Sequence, residues 1–300
     1  MRLTVWRAPL TRTHTTSLLS RATAFHILLA LLTLLPPLLL AYRSQGFWLR
    51  AAEYREQPDI HFRHELLLLA DTAAGQQLGW ATFPVVVEQL LDSVRIPVVR
   101  SREEDSNRDG VLDGLELELE LPLRQDEQVV SCTALLLLDV RLRIYSEVHL
   151  TGLVVLQGGG YPGAALAVTG DVELVQRELL PHRGRHTRYT ASPVPASELP
   201  EDFALAGLLS RYQARNLTTR LANSYTVWQP GPAGPQFSLT ASLRYPVQTL
   251  RYQPGFWQVI KWGWVQYLAI LVVFLGLGNR LREFVFSEQI LPTVVTQNKQ

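Results

Sequence analysis

Two long apolar stretches lie near the ends of the chain, one over residues 22–42 and the other over residues 262–279. Neither contains Asp, Glu, Lys or Arg, and each has about the 20 residues that a helix needs to cross the hydrocarbon core of a bilayer. The roughly 220 residues between them are long enough and polar enough to fold as a domain. The pattern therefore predicts a membrane hairpin, in which one helix crosses, a large domain follows and a second helix returns.

These stretches divide the chain into five segments. We expect a cytosolic N-terminal segment over residues 1–21, transmembrane helices over 22–42 and 259–279, an extracellular β-rich domain over 43–258 and a cytosolic tail over 280–300. Both short ends carry an excess of Arg and Lys, which is typical of cytosolic flanks. A cleaved signal peptide is the alternative for the first stretch. That stretch is long for a signal peptide, contains Pro36-Pro37 and has no clear cleavage site after it.

The middle of the chain alternates apolar and polar residues, which is typical of half-buried strands. Leu115 to Leu121 reads Leu-Glu-Leu-Glu-Leu-Glu-Leu, with one apolar and one acidic face. Branched apolar residues predict further strands at 129–140, 141–145, 148–156, 165–175 and 237–250. Predicted turns separate them, including Gly158-Gly159-Gly160 and Tyr161-Pro162-Gly163. We therefore predict a mainly β fold, an antiparallel β-sandwich-like domain between two transmembrane α-helices, with one helix of its own near residues 201–217.

One acidic segment fits the calcium-loop pattern D-x-[DN]-x-[DN]-G-x5-E. The residues of the match are Asp105, Asn107, Asp109, Gly110, Asp113 and Glu116. An EF-hand needs a helix on each side of its loop, whereas both flanks here have the pattern of strands. Two interpretations stay open. One is a calcium site on these residues, with calcium as the candidate cofactor; the other is an acidic hairpin turn with Gly110 in a left-handed conformation.

Three other features are candidate sites. Asn216-Leu217-Thr218 is the only N-glycosylation sequon in the sequence. Aromatic residues at the border of the second apolar stretch suit a membrane interface, and small residues let another helix approach closely. The candidate interaction residues are Trp257, Trp262, Trp264 and Gly276. The alternative is that the glycine only faces lipid. Cys132 lies in an apolar run, so we expect a small buried residue there and not a nucleophile.

The sequence contains no nucleophile elbow, phosphate-binding glycine loop, zinc motif or cysteine pair. We therefore expect no enzymatic activity, and a membrane-tethered enzyme is the weakest of three hypotheses. A subunit of a two-helix channel or receptor is the second. Ion pathways usually have a charged residue inside a membrane helix, and neither stretch has an interior Asp, Glu, Lys or Arg. The first hypothesis is a structural membrane protein whose partners are the lipid bilayer and other membrane proteins, with no nucleic acid.

A series of short motifs runs from about residue 36 to residue 267. They are Pro36-Pro37-Leu38-Leu39, Arg43-Ser44, Gly46-Phe47-Trp48-Leu49, Glu56-Gln57-Pro58, Arg102-Glu103-Glu104-Asp105 with Asn107 and Asp109-Gly110, Leu119-Glu120-Leu121-Pro122-Leu123, Asn216 with Thr218, Arg244-Tyr245-Pro246-Val247, Tyr252-Gln253-Pro254-Gly255-Phe256-Trp257 and Trp264-Val265-Gln266-Tyr267. In order and spacing this series resembles the transmembrane protein 231 family. Glu116 is not part of that family's pattern.

The resemblance implies a function that composition alone does not. Proteins of that family lie in the transition zone at the ciliary base, within the Meckel-syndrome complex. There they help to form the barrier that limits exchange of membrane proteins between cilium and plasma membrane, and they support cilium assembly. The resemblance thus implies a two-helix protein of the ciliary transition zone membrane. Its partners would be other transition-zone membrane proteins, including tectonic-type proteins.

Overall fold

The computed structural model describes residues 12–17, 20–44, 48–84, 87, 93–194, 204–231 and 234–297. The chain divides into two compact units. One, here called the helical unit, comprises Met1–Arg50 and Pro254–Gln300, and the other, the β domain, comprises Ala51–Gln253.

Thirteen strands and three helices make up the described part of the chain. In order they are β1 (Arg12–Thr15), α1 (Arg21–Arg43), β2 (Ala52–Glu56), β3 (Asp59–Thr72), β4 (Gln77–Ala81), β5 (Val98–Glu104), β6 (Gly114–Pro122), β7 (Val129–Leu142), β8 (Glu147–Gln176), β9 (Arg185–Tyr189), α2 (Leu205–Gln213), β10 (Leu217–Pro230), β11 (Gln236–Arg244), β12 (Gln248–Tyr252), α3 (Phe256–Ser287) and β13 (Val294–Gln297).

The helical unit contains the two apolar helices α1 and α3. Most of their side chains lie exposed on the surface of the structure, as is expected of helices that cross a membrane. With 32 residues, α3 is longer than the predicted span 259–279, at about 48 Å by the helical rise per residue. β1 pairs antiparallel with β13, from Arg12 with Gln297 to Thr15 with Val294. The strands before α1 and after α3 therefore lie side by side.

The β domain is built on one nine-stranded sheet with the strand order β4-β3-β7-β8-β11-β6-β5, and β9 and β10 also pair with β8. All pairs are antiparallel except β8 with β9 and β8 with β11. The first half of β8 pairs with β7 and the second half with β10 and β11, so the sheet curls along this 30-residue strand. The predicted mainly β, largely antiparallel fold between two apolar helices is confirmed. A separate two-stranded sheet joins β2 to β12, the first and last strands of the domain.

The prediction of two glycine-rich turns at residues 158–163 is wrong, because these residues lie inside β8. A Cβ on Gly159 would lie 2.6 Å from the Cα of Ser131 on β7, and the φ of Gly159 is +151°. A Cβ on Gly158 would lie 2.5 Å from the side chain of Leu166, eight residues further along the same strand. The glycines therefore allow the close approaches that a sharply curled strand requires, and they do not end the strand.

Two apolar clusters lie on opposite faces of the sheet. On β7, even-numbered residues such as Leu136 and Leu138 belong to the larger cluster. Odd-numbered residues such as Leu135 and Leu137 belong to a smaller cluster that includes Leu208 and Tyr212 of α2. A strand covered on both faces needs apolar residues at every position, which explains the continuous run at 129–140. In β6, by contrast, the leucines are buried and Glu116 is exposed, as the alternation predicts.

The helix predicted near residues 201–217 is present as α2, Leu205–Gln213, and residues 201–203 lie outside the described part. Cys132 has no exposed surface, and burial raises the pKa of its thiol to about 12. Because the thiolate is the reactive form, burial lowers the reactivity of this cysteine at neutral pH. The predicted role of Cys132 as a small buried residue is confirmed.

Candidate functional site

The first candidate surface is the pair formed by α1 and α3, whose contacts run antiparallel. Phe25, near the start of α1, contacts Phe286, near the end of α3, with ring centroids 6.1 Å apart. At the other end, the side chain of Ser44 lies 3.5 Å from that of Gln266. Between them, Thr33 packs against Gly278 so closely that a Cβ on this glycine would lie 2.4 Å from the Thr33 methyl carbon. The helices are thus in contact near both ends, and between these contacts a small residue at Gly278 lets Thr33 approach closely.

The glycines of α3 have two different roles. Gly263 and Gly278 are buried, so these two small residues are used within the chain. Gly276 is exposed, and nothing lies within 4 Å of the position that its Cβ would occupy. Of the three, Gly276 therefore lies on the face that remains open to a partner helix or to lipid. Its predicted role as an interaction residue stays a prediction.

The tryptophans predicted to interact lie on the outer surface of α3. Trp257 is 79% exposed, and more than half of Trp262 and of Trp264 is also exposed. Trp264 lies 5.9 Å, between ring centroids, from Tyr267 one turn later. Rings so exposed on a membrane helix fit the polar–apolar border of a bilayer. Their predicted contact with another protein stays a prediction.

The acidic loop, residues 105–113, connects β5 to β6, which pair from Val98 with Glu120 to Glu104 with Gly114. Strands therefore lie on both sides, as the alternation at 115–121 predicts, and the loop is a hairpin connection. Its side chains bind its own backbone: Asp105 accepts from the amide of Gly110 at 3.1 Å, and Asn107 accepts from that of Asp109 at 2.9 Å. Gly110 has a φ of +84°, which glycine adopts without strain.

The other acidic residues of the calcium-loop pattern lie partly in the loop and partly on β6. Asp109 accepts from the amide of Val111 at 2.8 Å, and Glu116 lies outside the loop, exposed on β6. Within the described residues, no group of three or more His, Cys, Asp or Glu side chains has an arrangement that could hold a metal. The calcium prediction for Asp105, Asn107, Asp109, Asp113 and Glu116 is not tested by this arrangement and stays a prediction.

Asp113 fastens the loop to the rest of the β domain. Its carboxylate accepts from the side-chain amide of Gln57 at 2.9 Å and from the backbone amide of Ser106 at 2.9 Å. These two hydrogen bonds hold the pKa of Asp113 below its usual range. Its carbonyl oxygen also accepts from the amide of Tyr245 at 2.8 Å. One residue therefore ties together three segments that are far apart in sequence.

A second contact joins the same region. Glu103, at the end of β5, accepts from the backbone amide of Phe62 on β3 at 2.7 Å. Tyr245 is buried nearby, and burial, followed by the charge of Glu103, raises the pKa of its phenol. Gln57, Glu103 and Tyr245 all belong to the motifs that carry the family resemblance. The structure brings residues of these motifs close together, which sequence spacing could not show.

Asn216 lies between α2 and β10, and its side-chain amide donates to Glu178 at 2.8 Å. Asn216 itself is half-buried, and Thr218 of the same sequon is 8% exposed. Glycosylation of Asn216 stays a prediction.

Comparison with known proteins gives one consistent result. A family model described as Transmembrane protein 231 matches residues 1–295. The chain is 42% identical over 281 residues to Transmembrane protein 231 of Gallus gallus, covering 92% of this chain and 88% of that protein. It is 39% identical over 291 residues to the Homo sapiens protein of the same name, covering 95% of this chain and 92% of that protein. For the Xenopus tropicalis protein of that name the identity is 38% over 294 residues, covering 97% and 94%.

Proposed function

Because the chain belongs to the transmembrane protein 231 family, we propose that it is a structural membrane component of the ciliary transition zone. In this role it helps to form the diffusion barrier at the ciliary base and supports cilium assembly. The observation that carries the proposal is the family match over nearly the whole chain, which includes both apolar helices and the entire β domain. The protein acts by assembly with other membrane proteins of the transition zone, tectonic-type proteins among them, and not by catalysis.

The exposed surfaces of the helical unit support an assembly role. Gly263 and Gly278 are buried, whereas Gly276 and the tryptophans remain exposed. An exposed glycine lets a second helix come close, and interfacial tryptophans fix the depth of a helix in the bilayer. We therefore assign partner contacts to the face of α3 that carries Gly276, and positioning in the membrane to Trp257, Trp262 and Trp264.

Localisation is the direct test of this function. A tagged copy in ciliated cells should concentrate between the basal body and the ciliary shaft. Removing the endogenous gene should let non-ciliary membrane proteins enter the cilium, or shorten it, and the tagged copy should restore the barrier. The measurement is the ratio of a plasma-membrane marker inside and outside the cilium. Normal cilia with an intact barrier, together with a tagged copy spread evenly over the plasma membrane, would contradict the proposal.

We also propose that both termini are cytosolic and that the β domain is extracellular. The pairing of β1 with β13 supports placing both ends on one side, and the Arg-rich first segment supports the cytosolic side. Protease added to intact cells should cut the β domain and leave tags on both termini intact. Asn216 provides an independent reporter: a glycosidase should shift the mobility of the wild-type chain but not of Asn216→Gln. Digestion of an N-terminal tag on intact cells would overturn the topology.

A further inference from the structure

The first half of β8 has one free edge. Its residues from Val148 to Gln157 pair with β7 in unbroken register. On the other side of this segment, β9 pairs with β8 no further than Leu150, and the pairing with β10 and β11 begins at Gly163. Between Leu150 and Gly163, this edge therefore has no neighbouring strand within the described part of the chain.

Hydrogen bonds show which residues have their backbone groups on this edge. The amide of Glu147 donates to the residue before β9 at 3.1 Å, and both backbone groups of Leu153 bond the hydroxyl of Thr219 at 2.8 Å. In a strand paired antiparallel, consecutive residues direct these groups to opposite sides. The N–H and C=O groups of Val155 and Gln157 therefore also point away from β7.

These groups face a cavity of about 610 Å³, here called the seam cavity. The first half of β8 contributes Leu153, Val155 and Gln157 to its lining, all residues whose backbone groups lie on the free edge. The opposite wall is β10, including Leu221 and Ser224. β10 pairs with the second half of β8 on one side and with no described strand on the other. Two strand edges without a neighbouring strand therefore face each other across the cavity.

Side chains close both ends of the seam cavity. At one end, Thr219 of β10 binds Leu153, and at the other a Cβ on Gly158 would lie 3.3 Å from the methyl carbon of Thr226. Between these contacts, the register of β10 with β8 shifts around Asn223, whose φ is +47°. Such a bulge bends a strand. The two edges therefore separate in the middle and meet at the ends.

We propose that the seam cavity binds an extended segment of a partner protein, which adds as a strand to the free edge of β8. The backbone groups of Val155 and Gln157 recur every second residue, about 6.6–6.8 Å apart, and an extended chain carries matching donors and acceptors at the same repeat. An apolar ligand such as a lipid tail would leave these groups unpaired, which costs free energy. The cavity lies wholly within the β domain, so this binding does not depend on α3 or on the ciliary role.

The charge of the lining indicates the chemistry of that segment. Arg177 and Arg220 line the cavity, and no Asp or Glu is among the described residues that line it. Arg177 donates to the carbonyl of Gln213, and Arg220 pairs with Glu173 at 2.9 Å. A guanidinium has five N–H donors, so these contacts leave others for a carboxylate. The segment is therefore one of β-branched residues with an acidic side chain among them.

Peptide binding to the full-length protein in detergent tests the proposal. The probes are capped peptides of about six residues, alternating valine and threonine with one central aspartate. Without peptide, the amides of Val155 and Gln157 should exchange with deuterium faster than those of Val154 and Leu156, which point to β7. Bound peptide should slow the exchange of both exposed amides by about tenfold, measured residue by residue. Asparagine in place of the aspartate should weaken binding several-fold.

Methylation of the peptide amides distinguishes strand addition from non-specific binding. Methyl groups on alternate amides remove the donors from one edge of the peptide, so at least one of the two methylated peptides should bind about tenfold more weakly. Ser224→Trp fills the cavity and should weaken binding to a similar extent. Tyr225→Trp is the matched control, because Tyr225 is 74% exposed and is not among the residues that line the cavity. Gln157→Pro provides a second variant should Ser224→Trp disturb β10, because it removes an N–H that points away from β7 and leaves the pairing with β7 intact.

The same measurements can contradict the proposal. Slow exchange of Val155 and Gln157 without peptide would show that the edge is not free. Absence of saturable binding at millimolar peptide would show that the cavity holds only water. Equal affinity for the parent and both methylated peptides, or equal loss in Ser224→Trp and Tyr225→Trp, would place the binding elsewhere. Equal affinity for the aspartate and asparagine peptides would overturn the assignment of an acidic partner.

Discussion

Replacing Gly278 by leucine should separate α1 from α3, whereas the same change at Gly276 should leave the pair intact. A Cβ at Gly278 lies 2.4 Å from the Thr33 methyl carbon, and that of Gly276 meets nothing within 4 Å. Alanine at Gly278 needs only a rotation of Thr33, but leucine adds three further carbons to a closed contact. Overpacking of this kind costs about 1–3 kcal/mol, which lowers the equilibrium constant for pairing by roughly 5- to 150-fold.

The pairing of β1 with β13 provides a way to measure whether α1 and α3 stay together. Thr15 and Val294 face each other, and facing residues of an antiparallel ladder have Cα atoms about 4.5–5.5 Å apart, within disulfide range. With cysteine at both positions, oxidised membranes should give a high yield of the internal disulfide. That yield should fall in Gly278→Leu and persist in Gly276→Leu. Buried Cys132 does not compete for the new thiols.

Gly278→Leu and Gly276→Leu also distinguish an effect on helix pairing within the chain from an effect on assembly with partners. Gly276→Leu should lower co-purification of partner membrane proteins while the internal disulfide forms normally. Equal disulfide yields in Gly278→Leu and the wild type would show that the glycine contact does not hold the helices together. Undiminished partner binding by Gly276→Leu would remove Gly276 from the interaction surface.

The sequence predicts well those elements whose burial is periodic. In β6, each leucine is buried and Glu116 is exposed, so the two-residue period of burial can be read from the sequence. The length and apolarity of α1 and α3 likewise predict that these two segments are membrane helices. In residues 158–163 the prediction fails, because glycine is equally compatible with a turn and with a close approach between strands. Only the distance from Gly159 to Ser131 distinguishes the two.

The candidate sites were predictable only where they are local. The residues of the acidic loop contact their own backbone, so the hairpin between strands follows from a short segment. The contact of Gln57 with Asp113, and that of Asp113 with Tyr245, join residues far apart in the chain. Nothing in their individual spacing indicates that they meet. Their one common signal is that Gln57 and Tyr245 both lie in motifs of the family resemblance.

The interior of the β domain contains a polar network that pattern analysis did not detect. The hydroxyl of Tyr212 on α2 accepts from the amide of Thr219 at 2.7 Å and from that of Leu153 at 3.1 Å. The Thr219 hydroxyl accepts from the amide of Leu153 and donates to its carbonyl, both at 2.8 Å. A Cβ on neighbouring Gly152 would lie 2.8 Å from the Thr219 methyl carbon, so β8 and β10 meet here without room for a larger residue.

Removing either hydroxyl should destabilise the β domain. Tyr212→Phe keeps the ring but leaves the amide of Thr219 without this acceptor. Thr219→Val removes the closer of the two acceptors of the Leu153 amide and the hydroxyl that donates to the Leu153 carbonyl. A buried polar group left unpaired costs about 1–3 kcal/mol, and the two side chains share Leu153 and hydrogen-bond each other, so their effects should not add. The free energy of unfolding, measured by pulsed proteolysis in detergent, should fall by this amount in each single variant, and by less than the sum in the double variant.

Tyr225→Phe is the matched control, since Tyr225 is 74% exposed on β10 and should change stability by less than about 0.5 kcal/mol. If Tyr212→Phe and Tyr225→Phe are equally stable, α2 is held on the sheet by apolar packing alone and the hydroxyl network has no structural role.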